Sequence, residues 1–408
     1  CRIEQDSEPQ HIERGSPAGE GVPNLEIDRV LSLRNVGTVH FGTGLLGQCA
    51  SDVLASGARS ALIVSSAPLR TLSDALAVQL EAAGCRATIF DAIAGEPTIA
   101  DFEQAMDVAR AHSAGFIIGL GGGSAMDVAK LVAALLDGRQ HIDMVIGQNL
   151  LTGRSIPLAC IPTTAGTGSE VTPIAILEDV EAQLKKGVVS DYLVPDFAYL
   201  DPQLTVTMPR AVTASTGLDA LTHCIEAYAN RFSHPVVDAW ALEGIRLIAS
   251  NIERACADGS DLEARGAMLR ASHLGGMCLG PVNTAAVHAL AYPLGGEFHV
   301  PHGVANSLLL PHVLRFNLEA APARYAQVAA AMGIARTGDD RADALAGIDE
   351  IDRISAAIGL ERSLSSFGIG ANAIPKMAAA AMTVQRLLVR NPRAVTEADA
   401  TRIYEAAL

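Results

Sequence analysis

Asp219 and His223 stand four residues apart in the run GLDALTHCIEAY. On a helix that interval puts a carboxylate and an imidazole on one face, one turn apart, and the pair suits a borderline transition metal. Two further imidazoles, His288 and His302, lie in HALAYPLGGEFHVPH. On a single straight helix they would be about 21 Å apart and could not share an ion. Pro293, Gly295, Gly296 and Pro301 are expected to break that helix, so that the chain folds back and brings the two rings together. A carboxylate and three imidazoles then complete a cation site with room for a substrate oxygen. The plainer alternative for Asp219 and His223 is a hydrogen bond along a helix surface. His11, His40, His112, His141, His234, His273 and His312 show no comparable spacing. His299 is close enough in sequence to relay a proton or support a ligand.

A second constellation is Gly121-Gly122-Gly123-Ser124, between an apolar run and an Ala-rich stretch. Three glycines allow close backbone approach and positive φ, and the free amides opening a following helix point at an anion. The run lacks the P-loop pattern, and GxGxxG fails at its last position, where Ser124 stands. The glycines therefore read as a phosphate cradle or as a tight turn that binds nothing. Pro162 to Glu170 (PTTAGTGSE) follows another apolar run. Its hydroxyls and glycines offer contacts to a ribose, a diphosphate or a nicotinamide amide, or form only a turn.

These groups need elements to hold them. Between about 34 and 205, short β-branched runs alternate with Ala-rich stretches. Strands are expected at 61–65, 85–90, 115–120 and 156–161, and helices at 68–83, 98–112 and 124–136. Continuous apolar strands separated by helices imply a parallel sheet covered on both faces. Beyond DPQLTVTMP (201–209) the pattern is helix after helix, punctuated by Pro and Gly. The expected fold class is an α/β Rossmann-like parallel-sheet domain followed by an all-α domain. The divisions are a disordered leader at 1–30, an α/β domain at 31–208 and a helical metal-binding domain at 209–408.

Composition narrows the function. The 408 residues carry 30 Lys and Arg against 45 Asp and Glu, a formal charge of −15. So acidic a chain without a basic patch repels a phosphate polyanion, which argues against nucleic acid as a partner. An apolar fraction of 49% excludes a disordered body. The richest apolar stretch, 114–136, is interrupted by Asp127 and Lys130, which argues against a membrane span. Seven cysteines without CxxC spacing read as free thiols in a reducing, cytoplasmic compartment.

Taken together, GEPT (95–98), GGGSAMDVAK (121–130), PTTAGTGSE (162–170), DPQLT (201–205), GLDALTHCIEAY (217–228), HALAYPLGG (288–296) and PHG (301–303) resemble the iron-containing, or group III, alcohol dehydrogenases. The resemblance runs from about 34 to 408 in order and spacing. It implies a dinucleotide-binding domain and a helical domain with the active site between them, as in the dehydroquinate synthase-like architecture. It implies Asp219, His223, His288 and His302 as ligands to Fe2+, alternatively Zn2+. It implies NAD or NADP held by Gly121, Gly122, Gly123, Ser124, Asp127 and Thr172, with Thr163, Thr164 and Thr167 on the nicotinamide side and Lys185 as a further contact. It also implies a homodimer or larger homo-oligomer.

Three departures from the family's pattern carry consequences. Ser65-Ser66 stand where members often place an adenine-ribose aspartate; Ser66 removes a charge that would repel a 2′-phosphate, so NADP is expected to be tolerated, with Arg70 as phosphate partner. Tyr292 stands where many members have a histidine, and is expected with His299 to serve proton transfer. Ile174 replaces a polar substrate contact of some members, favouring a less hydroxylated substrate. The implied reaction is metal-dependent hydride transfer between NAD(P) and a small primary alcohol, aldehyde or hydroxy acid. The alternatives are a maleylacetate reductase, a hydroxyacid–oxoacid transhydrogenase, and a degenerate nucleotide- or metal-binding sensor.

Overall fold

The structure, a computed structural model, describes residues 30–180 and 184–408. The expected leader, apart from Val30, lies outside the described residues. A six-stranded, wholly parallel sheet has the order β1-β9-β6-β4-β2-β3, from β1 (Thr38–Phe41), β2 (Ser60–Val64), β3 (Arg86–Phe90), β4 (Phe116–Gly121), β6 (Leu158–Pro162) and β9 (Phe197–Leu200). β2, β4 and β6 are buried along their whole length, which is why each reads as an unbroken apolar run. The two-residue period still sorts their side chains. Leu62, Val64 and Ile117 enter one core, and Ala61, Ile63 and Ile118 the other.

Helices α1 (Leu46–Ala55) and α2 (Arg70–Ala82) supply the second of these cores, and α3 (Ile99–Ala111) and α4 (Gly123–Leu135) the first. Thr98 of the GEPT run opens α3 as half of a capping box with Asp101. A small second sheet, absent from the sequence expectation, joins β5 (Gly147–Gln148), β8 (Leu184–Val189) and β7 (Ile174–Asp179) in the order β5-β8-β7, with β7 and β8 antiparallel.

From Arg210 the described chain is helical: α5 (Arg210–Tyr228), α6 (Pro235–Ala257), α7 (Leu262–Leu279), α8 (Ala286–Phe298), α9 (His302–Asn317), α10 (Pro322–Ala331), α11 (Asp340–Ile358), α12 (Ile374–Ala381), α13 (Gln385–Leu388) and α14 (Glu397–Ala406). They enclose one large apolar core, and the expected fold class is borne out. None of the described helices is long and apolar enough to cross a membrane.

One local expectation is corrected. Pro293, Gly295 and Gly296 do not break the helix; α8 runs through all three. Burial of Ala286 to Ala291 and of Leu294 in the core outweighs their poor helix propensity. The reversal comes later. His299 takes the left-handed conformation at φ +53°, the Val300 amide bonds back to the Leu294 carbonyl and the His299 amide to that of Gly295. A histidine thus closes the helix in a left-handed cap where glycine is usual. Pro301 then leads into α9.

Candidate metal and cofactor site

α5 carries the first two candidate ligands into the interior. Fourteen of its nineteen residues are buried, so Asp219 and His223 face inward on consecutive turns and the helix-surface alternative is excluded. α8 delivers His288, and the turn at His299 swings α9 back so that His302 arrives beside it. Asp219, His288 and His302 bring one ligand atom each within 4.8 Å of one another. Asp219 Oδ1 is the hub, lying 3.6 Å from His288 Nε2, 3.7 Å from His302 Nε2 and 3.8 Å from His223 Nε2. Close backbone packing holds α9 against α5: a Cβ on Gly303 would stand 2.3 Å from the Ser215 carbonyl oxygen.

Two further buried residues serve the cluster, and the sequence reading missed both. Glu226 Oε2 accepts from His288 Nδ1 at 2.6 Å, and its Oε1 accepts from the Val287 amide at 2.6 Å. The pair keeps a proton on Nδ1, so that Nε2 is the nitrogen turned toward the hub. Asn306 Nδ2 lies 2.7 Å from Asp219 Oδ1, 3.1 Å from His288 Nε2 and 3.2 Å from His302 Nε2. The signals were present. Glu226 is three residues beyond His223, and Asn306 is four beyond His302, the interval that flagged Asp219 and His223.

Electrostatics agree with a cation site. Burial alone would raise the Asp219 carboxyl, but the three imidazoles hold it well below the usual carboxylate range. Burial pushes His223 and His302 down to about 4, so both rings are neutral near pH 7. Burial would also lower His288, yet Asp219 and Glu226, one on each ring nitrogen, push it up to about 9, so the two carboxylates favour positive charge at Nε2, from a proton or from a metal. The donor set fits a divalent metal on this structure's own terms. The two protons of Asn306 Nδ2 face three groups, Asp219 Oδ1, His288 Nε2 and His302 Nε2, and His223 Nε2 turns to the same carboxylate oxygen. A cation satisfies all the converging lone pairs at once.

Facing the cluster is the end of the sheet. β2 is followed outward by β3, whereas β4 lies on its other side, so the crevice between the ends of β2 and β4 is a topological switch point. Gly121 (φ +157°), Gly122 and Gly123 turn directly from β4 into α4, and a Cβ on Gly121 would touch Leu69 beyond β2. The first helical hydrogen bond runs from the Met126 amide to the Gly122 carbonyl, which leaves the opening amides of α4 directed into the crevice. The second loop packs onto this turn: Cβ atoms on Gly122 and Gly123 would stand 3.5 Å from Thr164 and 2.9 Å from Thr167. A dinucleotide fits this backbone cradle.

A pocket of about 210 Å3 unites the two halves. Its lining includes Gly123, Ser124 and Thr167 on one side, Asp219, His223, His288 and His302 on the other, and Ile174, Ile176 and Leu279 as apolar wall. The loop and the helical half interlock nearby, where a Cβ on Gly276 would lie 2.5 Å from the Gly168 carbonyl oxygen.

The remaining expected residues fall in several places. Asp127 lines the pocket, but its oxygens are taken by the Ser169 hydroxyl at 2.6 Å and the Ile176 amide at 2.9 Å. Thr172 lines it too, bonded to the buried Lys130, whose ammonium also reaches Ser169 and the Ile174 carbonyl. Thr163 is buried, its amide on the Gly121 carbonyl. Lys185 pairs with Glu96 at 3.2 Å. Tyr292 lines the pocket, and its hydroxyl accepts from Arg386 Nη2 at 2.6 Å. His299 is not brought to the cluster; it lines an adjoining cavity. Ser66 stands at the head of the short turn after β2, with no capping hydrogen bond from its side chain. Arg70, expected as a free phosphate partner, is held by Asp74 at 2.8 Å and Asp91 at 3.2 Å.

Comparison with known proteins agrees with this reading. Residues 37–202 match the family described as iron-containing alcohol dehydrogenase, and residues 213–408 match the C-terminal part of the Fe-containing alcohol dehydrogenase family. The chain is 38% identical to long-chain-alcohol dehydrogenase 1 of Geobacillus thermodenitrificans over 90% of this chain and 94% of that one. It is 35% identical to sulfoacetaldehyde reductase of Bilophila wadsworthia over 90% and 96%. A crystal structure of 1,3-propanediol oxidoreductase superposes with a TM-score of 0.90 at 35% identity, covering 93% of this chain and all of that one. The chain therefore belongs to the iron-containing alcohol dehydrogenase family and is an NAD(P)-dependent oxidoreductase of alcohols and aldehydes.

Proposed function

We propose that the protein interconverts a small primary alcohol and its aldehyde, with Asp219, His223, His288 and His302 holding Fe2+ or Zn2+ and the turn at 121–124 holding the pyrophosphate of NAD or NADP. The observation that carries this reading is the single pocket that has the carboxylate–imidazole cluster on one wall and the glycine turn on the other. When bound, the metal supplies a Lewis acid for the substrate oxygen and the nicotinamide supplies the hydride carrier.

The chain's own residues do the rest. Glu226 orients His288. Thr164 and Thr167 pack against the glycine turn to form the nicotinamide side. Ile174, Ile176 and Leu279 keep the pocket apolar, which limits water at the reacting carbon. The Tyr292 hydroxyl receives a hydrogen bond from Arg386, so its own proton is free to pass to a substrate oxygen. Asp127, Lys130 and Thr172 act as a buried brace under the cofactor loops rather than as direct contacts. The proposal includes a nucleotide-binding unit at 31–208, a metal-binding unit at 209–408, assembly as a homodimer or larger, and a cytoplasmic setting.

The test is metal analysis after anaerobic loading with Fe2+ or Zn2+, followed by the absorbance of reduced nicotinamide with a panel of alcohols and aldehydes. Wild-type protein is expected to retain about one metal per chain and turn over; His288→Ala is expected to lose both. Retention of full metal and activity by that variant refutes the ligand assignment.

A further inference from the structure

The pocket that holds the ligand cluster opens into a second cavity of about 1090 Å3. The two share Ile176, Lys185, Tyr292 and Arg386. Although the chain is strongly acidic, the walls of the larger cavity carry Lys185, Lys186, Lys376 and Arg386 against only Glu178 and Glu297. Each lysine already has a partner: Lys185 pairs with Glu96 at 3.2 Å, Lys186 with Asp179 at 2.6 Å and Lys376 with Glu297 at 2.6 Å. Arg386 differs. Among the described residues no carboxylate lies within ion-pair distance of it; its polar contact is the Tyr292 hydroxyl, and its guanidinium carbon stands 5.8 Å from the Tyr292 ring centre. Tyr292 is one helical turn beyond His288 on α8. An unneutralised cation therefore stands at the junction of the two spaces, one side chain removed from the ligand cluster.

We propose that Arg386 binds the far end of the substrate, and that this end is an anion: the natural substrate is a short aldehyde or alcohol carrying a carboxylate or sulfonate. A guanidinium offers a planar fork to such a group, and the Tyr292 hydroxyl braces one arm while the other donors remain available. With the three lysines already paired, the guanidinium of Arg386 is the charge at the mouth that meets an anionic substrate. This rests on the alcohol–aldehyde reading above and narrows it.

The experiment compares kcat/KM for paired aldehydes with the metal-loaded enzyme: succinic semialdehyde against butyraldehyde for a carboxylate, and sulfoacetaldehyde against acetaldehyde for a sulfonate. Wild type is expected to favour the anionic member of at least one pair by roughly tenfold or more, and the favoured pair identifies the anion. Arg386→Ala is expected to cut that preference by roughly ten- to a hundredfold, chiefly through KM, with Arg386→Lys restoring part of it. Melting temperature and metal content of both variants show whether the fold is intact. An unchanged preference, or an equal loss on both members of a pair, overturns the inference. A rise in KM for the nicotinamide instead of the aldehyde also overturns it and assigns Arg386 to a cofactor phosphate. A wild-type enzyme that reduces only the neutral aldehydes overturns the anionic substrate alone, whereas one that reduces none overturns the alcohol–aldehyde reading as well.

Discussion

Replacing Glu226 by glutamine tests how the ligand cluster is set. Both carboxylate oxygens accept, Oε2 from His288 Nδ1 and Oε1 from the Val287 amide, each at 2.6 Å. An amide has one acceptor and one donor end, so in Glu226→Gln one of those two N–H groups must face an NH2. The Val287 amide cannot move its proton. The glutamine oxygen therefore stays on Val287, and its NH2 turns to His288 Nδ1, which must then accept. The imidazole proton shifts to Nε2, 3.6 Å from Asp219 Oδ1, and occupies the lone pair a metal needs. Loss of such a supporting carboxylate costs about 10- to 100-fold in metal affinity, about 1.4–2.7 kcal/mol. Competition against a chromophoric chelator gives the Zn2+ affinity, and nitrogen chemical shifts of the imidazole report which nitrogen carries the proton. A variant that binds Zn2+ within about twofold of wild type, a difference of only about 0.4 kcal/mol, with the His288 proton still on Nδ1 in the Zn2+-loaded form, refutes the argument.

Three other outcomes follow from the same structure. Gly303→Ala places a methyl 2.3 Å from the Ser215 carbonyl oxygen and 3.4 Å from Asp219 Cβ; α9 must back away from α5, so Zn2+ affinity and melting temperature should fall together, the latter by the equivalent of about 1–3 kcal/mol. Asp91→Ala releases one of the two carboxylates holding Arg70, so the ratio of kcat/KM for NADP to that for NAD should rise; an unchanged ratio removes Arg70 from adenine-ribose recognition. Hydrogen bonds from Thr337, with Arg336 adding to them, hold the Asp343 carboxyl down to about 2. Its folded value lies below its unfolded one, so its contribution is complete above about pH 4 and is lost as pH falls toward 2. The difference in melting temperature between wild type and Asp343→Asn should accordingly be full at about pH 5 and narrow at about pH 2, and a constant difference refutes it.

What could be read in advance, and what could not, separates along physical lines. The central strands β2, β4 and β6 were legible because burial on both faces demands apolar residues throughout. β1 and β9 were not, being four residues each, with β1 at the sheet edge and largely exposed. The β7–β8 hairpin was hidden by the charged residues of LKKGVV, although it supplies Ile174, Ile176 and Lys185 to the pocket. Asp219 and His223 announced themselves by type and interval; Glu226 and Asn306 had the same helical relationship, but a lone glutamate or asparagine carries no such advertisement.

The fold-back shows why residue chemistry alone places ligands poorly. Proline and glycine rules located the break at Pro293 to Gly296, where burial keeps α8 intact. The chain reverses instead at His299, a residue that seldom adopts positive φ. Two features then fix the distance between His288 and His302: three residues of backbone, 299–301, and the missing side chain at Gly303. Neither coordinates anything. The ligand types tell which ion the site prefers, but the approach of α8, α9 and α5 decides whether any ion binds, and that approach depends on tertiary packing that spacing along the chain does not encode. A substitution at Gly303 should therefore weaken the metal site even though all four expected ligands remain.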